Sequence, residues 1–350
     1  MKPMTRRERL TALFEGKPVD RPALKLWGLP LDGSFIPPAY EPVCKKALEC
    51  TDLFAYASSP FDVVCGQNSG ELITSEQRAT DSPLWIDDVA TIHTPLGDLT
   101  SVTRLSTGGE PGYIMEHPVK EPKDFEKILS IPYTPYPFDP QGYQNADQMV
   151  GDRGIPLFDL DHSIYAVQRL CGSENLAFFR VEERDMLHTV LQTFSNRLLE
   201  QAKKAIDAGI RGVFSWVGPE VCIPPLMSPK DFEDFVYRYD KPICDAIHEA
   251  GGHVWVHCHG KVNQFVERFA DMGVDILNPV QPECMDLAFL KENYGDKLTF
   301  WGGISTQDTL PYGTPEDVRR ETERVIRLMG EGGGYITCSS QEIQTDVPYE

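Results

Sequence analysis

Short apolar or β-rich runs recur along the chain. Eight of them read as strands: Ala23–Trp27, Asp62–Cys65, Pro156–Leu160, Gly212–Trp216, His253–His257, Asp275–Asn278, Leu298–Trp301 and Tyr335–Cys338. Helical spacing of apolar positions separates the later runs. The longest such stretch covers Glu182–Ala208 and stops at Gly209. Two further helices open with a hydroxyl N-cap followed by proline in the first turn, at Ser228-Pro229 and Thr314-Pro315, the second running through Val318–Met329. Eight strands alternating with helices predict a parallel sheet closed into an α/β (β/α)8 TIM barrel.

Two segments depart from this rhythm. Residues 91–117, TIHTPLGDLTSVTRLSTGGEPGYIMEH, alternate on both arms of a glycine-rich turn, which predicts a β-hairpin inserted over one barrel mouth. Residues 124–154 are rich in proline and tyrosine and read as irregular, either a lid or a packing loop.

Composition narrows the function classes. At 350 residues, without a linker or low-complexity stretch, the chain reads as one barrel domain over 1–350. Its net charge of −20 argues against nucleic acid and anionic membrane as partners. The N-terminus lacks the apolar stretch of a signal peptide, and no run is long enough to span a bilayer. Nine cysteines, an odd number with no CxxC pair, read as reduced thiols of a cytoplasmic protein.

In a parallel barrel the chemistry sits at the C-terminal strand ends. The third run ends in Asp159-Leu160-Asp161-His162, and the fourth leads to Glu220 and Cys222. The fifth ends in His257-Cys258-His259, and the eighth in Cys338 and Gln341. His257 and His259 are two apart on an extended chain and therefore project to the same side, with Cys258 turned away. Imidazoles so placed suit two positions on one zinc ion, with Glu220 as a third ligand and Cys338 or Gln341 nearby. The same residues also read as hydrogen-bonded strand ends, and Cys222 and Cys338 as packing. Asp159, Asp161 and His162 are candidates for holding substrate or delivering a proton. Trp27, Trp216, Tyr113 and Phe158 are candidates for an apolar pocket wall, and equally for core.

The opening RRERLTALFEGKPVDRP resembles the start of the uroporphyrinogen decarboxylase superfamily. So do PPLMSPKDFEDFVYRYDKPI (224–243), GVDILNP (273–279), YGDKLTFWGGISTQDTLPYGTPEDVRRE (294–321) and GGGYITCSSQEIQTDVPYE (332–350). The resemblance implies a (β/α)8 barrel. True decarboxylases carry an arginine-rich stretch after the first strand, where this chain has LKLWGLPLDGSF. The other branch, corrinoid-dependent methyltransferases, binds zinc through a His-x-Cys at the fifth strand end and a late cysteine. His257 falls on that histidine, His259 on the first cysteine and Gln341 on the last, with Cys338 three residues before it. The expectation is a zinc-dependent methyltransferase. Zn2+ would be held by His257, His259 and Glu220, with catalytic roles for Glu220, His257 and Asp159 and substrate contacts from Trp27, Asp161, His162, Trp216 and Gln341. It would exchange a methyl group between a small methylated donor, or a thiol acceptor, and cobalamin riding on a partner corrinoid protein. A decarboxylase-like lyase on a non-porphyrin substrate and a non-catalytic binding barrel are the alternatives. Members of this family usually continue into a last helix beyond the closing motif. Here the sequence stops at Glu350, so either that helix is absent or the sequence is trimmed; a barrel without it would expose apolar wall that a partner subunit, as in a homodimer, could cover.

Overall fold

The computed structural model describes residues 2–28, 38–108, 111–344 and 346–349. Eight parallel strands form the barrel: Ala23–Leu24, Leu53–Ala57, Gly154–Asp159, Val213–Val217, His253–His257, Ile276–Val280, Thr299–Ile304 and Tyr335–Ser339. Each pairs with the next from the second to the eighth, and the eighth pairs with the first. The seam between first and second strands is closed by Asp52. Its N–H donates to the Leu24 carbonyl at 2.7 Å, and its carboxylate accepts from the Leu24 N–H at 2.8 Å. Arg9 and Arg21 neutralise the same fully buried carboxylate at 2.6 and 3.0 Å.

Period-two alternation fills the interior. Phe54, Leu157, Trp255, Trp301 and Ile336 point inward, and Leu10, Leu13 and Phe14 from helix Arg6–Phe14 pack against them. Trp301 lies 4.5 Å from Phe54 and 5.2 Å from Trp255, measured between ring centroids. The barrel is therefore packed at this level, and open space is left to the strand ends. The opposite strand faces carry a separate core with the helices, among them Ser163–Glu182, Arg184–Asp207, Arg238–Glu249 and Pro315–Gly330. Ser228 and Thr314 cap their helices as expected, each accepting from the backbone N–H three residues on.

Several expectations need correction. The second strand is Leu53–Ala57, not Asp62–Cys65. There Asp62 Oδ1 accepts from the N–H groups of Val64 and Cys65, both at 2.8 Å, which turns the chain before a ladder can form. Residues 124–154 are largely helical, within Pro122–Ser130 and in Gln141–Val150. The stretch 182–208 is one helix, Arg184–Asp207, as expected, and a second helix, Ser163–Glu182, precedes it directly. The insertion is larger than a hairpin: Ile73–Ala79, Trp85–Ile92, Leu99–Ser106 and Tyr113–Glu116 form a four-stranded antiparallel sheet. Its third and fourth strands are the expected arms, and residues 109–110 of the turn lie outside the described residues. An Asp87–Arg104 ion pair at 2.7 Å ties its second and third strands. Among the described residues no helix follows the eighth strand, and no helix is long and apolar enough to cross a membrane.

Candidate functional site at the strand ends

His257 is the last residue of the fifth strand and lies in register with Asn278 of the sixth. Its Nδ1 donates to Asn278 Oδ1 at 2.7 Å, while Asn278 Nδ2 donates to the Trp301 carbonyl and so fixes the amide. That arrangement leaves the His257 Nε2 lone pair without a partner among the described residues. Two residues on, His259 Nδ1 donates to Gln281 Oε1 at 3.2 Å, and the same oxygen accepts from the Gly260 N–H. Gln341 Nε2 donates to His259 Nε2 at 3.1 Å. The two imidazoles meet edge to face, 4.5 Å between centroids, and Trp27 packs on His257 at 5.4 Å. Burial, with His259 adding to it, pushes the pKa of His257 down to about 4, so the ring is neutral near pH 7.

Trp27 is held in place by the chain's end. The Ile343 N–H donates to the Trp27 carbonyl at 3.1 Å. Gly28 adopts φ +91° directly against the Ile343 backbone, where a Cβ would stand 2.5 Å from the Ile343 nitrogen.

Carboxyls share this rim. Asp159 ends the third strand and faces Ser215, whose hydroxyl donates to it. Burial pushes the Asp159 pKa up to about 6, against the pull of that hydrogen bond. Glu220 follows the fourth strand in a 3-10 turn, with one carboxylate oxygen buried and without a partner among the described residues. Its pKa is also raised by burial, opposed in part by His259. Glu283, after the sixth strand, accepts from Ser305 at 2.6 Å and Ser340 at 3.1 Å.

Other expected site residues lie elsewhere. Trp216 is 3 % exposed and belongs to the outer core with Phe158, because each alternates with an inward neighbour, Ser215 and Asp159. Tyr113 is exposed on the inserted sheet. His162 is 2 % exposed and bonded through Nε2 to Asp240 on the wall helix at 2.9 Å. Asp161 accepts from the His162 N–H and pairs with Arg169 on the outer rim. Cys338 points into the barrel among Trp255 and Trp301, because it alternates with Ser339. Cys222 is fully buried.

These placements test the expected zinc. His257 and His259 come together, but among the described residues no three His, Cys, Asp or Glu side chains gather closely enough to hold a metal ion. A catalytic zinc takes three protein ligands, so the set as placed does not fit one. What the rim does offer is a neutral imidazole with a free lone pair beside carboxyls that burial inclines toward protonation. Asn278 and Gln281, which orient the imidazoles, escaped sequence reasoning. Their signal was faint: polar residues two and five places beyond Ile276 at a strand end.

Comparison with known proteins agrees with this architecture. The sequence model of the uroporphyrinogen decarboxylase (URO-D) family matches residues 165–350. A uroporphyrinogen decarboxylase of Psychromonas ingrahamii is 26 % identical over 190 residues, 51 % of this chain and 51 % of that protein. The matched region thus spans about half the length of that relative. The enzyme of the same name from Aliivibrio salmonicida is 26 % identical over 291 residues, 77 % of this chain and 76 % of its own. Among solved structures, a methyltransferase from Methanosarcina mazei superposes with a TM-score of 0.62 at 17 % identity, covering 99 % of this chain and 95 % of that one. At that identity the likeness establishes the fold. With its family model matched over more than half its length, the chain belongs to the uroporphyrinogen decarboxylase family.

Proposed function

We propose that this barrel is a methyltransferase that moves a methyl group between a small methylated compound, or a thiol acceptor, and a corrinoid protein. The observation that carries the reading is the rim itself: Asp159, with its pKa at about 6, and the oriented, neutral His257 at the C-terminal ends of the third and fifth strands, with the fourth between them. The full-length likeness to a methyltransferase fold supports it. Taking a methyl group from an ether oxygen leaves an alkoxide or phenoxide, which needs a proton as the carbon–oxygen bond breaks. Asp159 holds that proton, and the Ser215 hydroxyl keeps the emerging carboxylate hydrogen-bonded. His257 Nε2 presents an acceptor fixed by Asn278, which suits orienting a donor group of the substrate or taking the proton of a thiol in the reverse direction. The corrinoid, carried by the partner protein, supplies the nucleophilic metal.

Zinc has its own test: close to one zinc per purified chain, lost in the double variant His257→Ala, His259→Ala, would require Glu220 or Gln341 to close on the imidazoles. Methyl transfer is tested by mixing the chain with a reduced corrinoid protein and methoxylated compounds. Demethylated product in step with corrinoid alkylation is expected, and its absence across donors, with no methylation of thiols by the methylated corrinoid protein, would overturn the reading. A decarboxylase-like lyase is the second reading, favoured by the same Asp159 proton and by the named activity of the curated relatives. Release of carbon dioxide without a corrinoid partner would establish it.

A further inference from the structure

A cavity of about 710 Å³ opens between the first and second strands and is lined by Lys25, Trp27, Phe54, Tyr56, Arg153 and Glu342 among others. Its size is that of a pocket for a small organic molecule. It abuts the rim described above, because Trp27 packs on His257 and the Glu342 N–H donates to Gln341 Oε1. Three aromatic rings give it an apolar wall. Two cations and one carboxylate line it, which is locally basic in a chain of net charge −20.

Lys25 is the unusual member. It is 8 % exposed, and its ammonium has no hydrogen-bond acceptor among the described residues; it stands over the Phe54 ring, 5.6 Å from the centroid. A buried ammonium normally has a partner. Glu342, the cavity's own carboxylate, makes no ion pair with it, and neither Arg153, exposed at the cavity's edge, nor the aromatic rings can supply an anion. An arriving carboxylate would.

We propose that Lys25 anchors the carboxylate of an aromatic acid whose ring lies along Trp27, Phe54 and Tyr56. Resting on the methyl-transfer reading, this makes the substrate class methoxylated aromatic acids. The carboxylate sits on Lys25, and the ring, passing Trp27, directs its methoxy group toward His257. Burial lowers the Lys25 pKa, with only the Cys338 thiol opposing, so the site gains from a bound anion that restores the charge.

The test is calorimetric titration of the full chain with benzoate and with benzamide, in the native protein and in Lys25→Met. Native protein should bind benzoate at least about tenfold more tightly than benzamide. Lys25→Met, which replaces a buried cation by an apolar chain of similar length, should bind the two alike. Lys25→Gln gives the same reading should the methionine variant fail to fold. Equal binding by native protein, or an undiminished preference in the variants, would overturn the inference. Neither probe carries a methyl group. A preference for benzoate without corrinoid methylation by 4-methoxybenzoate or any other donor would therefore remove the methyltransferase reading and leave the anchor. Methyl transfer without that preference would do the opposite.

Discussion

Replacing Asp159 by asparagine separates function from stability at one atom pair. The Asp159 pKa moves from 3.8 to about 6, chiefly through burial. Two pKa units correspond to about 3 kcal/mol. The sign follows from which state loses its proton first. The unfolded carboxyl ionises near its ordinary value, whereas the folded one stays protonated to about pH 6. Above that pH the folded state carries a buried charge that costs up to about 3 kcal/mol. The cost fades as pH falls through 6 and is gone near 4, so this group favours the fold at low pH. Asparagine keeps an oxygen for Ser215 and cannot ionise. In urea unfolding, Asp159→Asn should therefore be more stable than native protein at pH 7, by about 2–3 kcal/mol, and indistinguishable from it near pH 4. The same change removes the proposed proton donor, so kcat/KM for demethylation should fall about 10²- to 10⁴-fold. Native kcat/KM should decline about tenfold per pH unit above pH 6. A variant equally destabilised at both pH values, or one with unchanged activity and pH profile, would refute the argument.

Other residues give further tests. Asp52→Asn strips the barrel seam of the carboxylate shared by Arg9 and Arg21 and should cost about 3–5 kcal/mol in urea unfolding at pH 7; a loss below about 1 kcal/mol would mean the seam closes without it. His248, on the far side of the barrel, has its pKa raised by a hydrogen bond to Asp275. Its contribution is complete below the ordinary histidine pKa and lost as pH rises through the higher folded value, so His248→Gln should destabilise more at pH 5.5 than at pH 9, about in line with a half-exposed pair. Asn278→Ala frees the His257 ring and should lower kcat while leaving benzoate affinity unchanged; equal loss of both would mean that Asn278 acts only on packing.

Much of the barrel was readable from the chain. The third to eighth strands carry dense β-branched and aromatic runs whose ends fall within three residues of expectation. The second strand was not legible, because LFAYA follows directly on a helix and lacks a boundary signal, while Val63 and Val64 look more strand-like but sit in an Asp62 turn. The inserted sheet was half seen, since its first strand, Ile73–Ala79, is exposed and mostly polar and its second carries Asp87 and Asp88 within the apolar run. At the site, His257 and His259 were legible from their spacing alone. Lys25 was hidden: a lysine in a short first strand reads as solvated, and only barrel closure shows that it points inward. Cys338 and Trp216 failed for the converse reason. Sequence shows that alternate residues face opposite ways, but not which set faces the mouth.

The central claim is that Asp159 and His257 carry methyl transfer at the barrel rim. The most direct measurement is single-turnover alkylation of a corrinoid protein reduced to Co(I), followed by its absorbance, with 4-methoxybenzoate as donor. The account predicts rapid loss of the Co(I) band with native chain, slowed about 10²-fold or more by Asp159→Asn and by His257→Ala. Persistence of that band with native protein across this donor and other methoxylated or methylated compounds, together with no transfer from the methylated corrinoid protein to thiols, would contradict it.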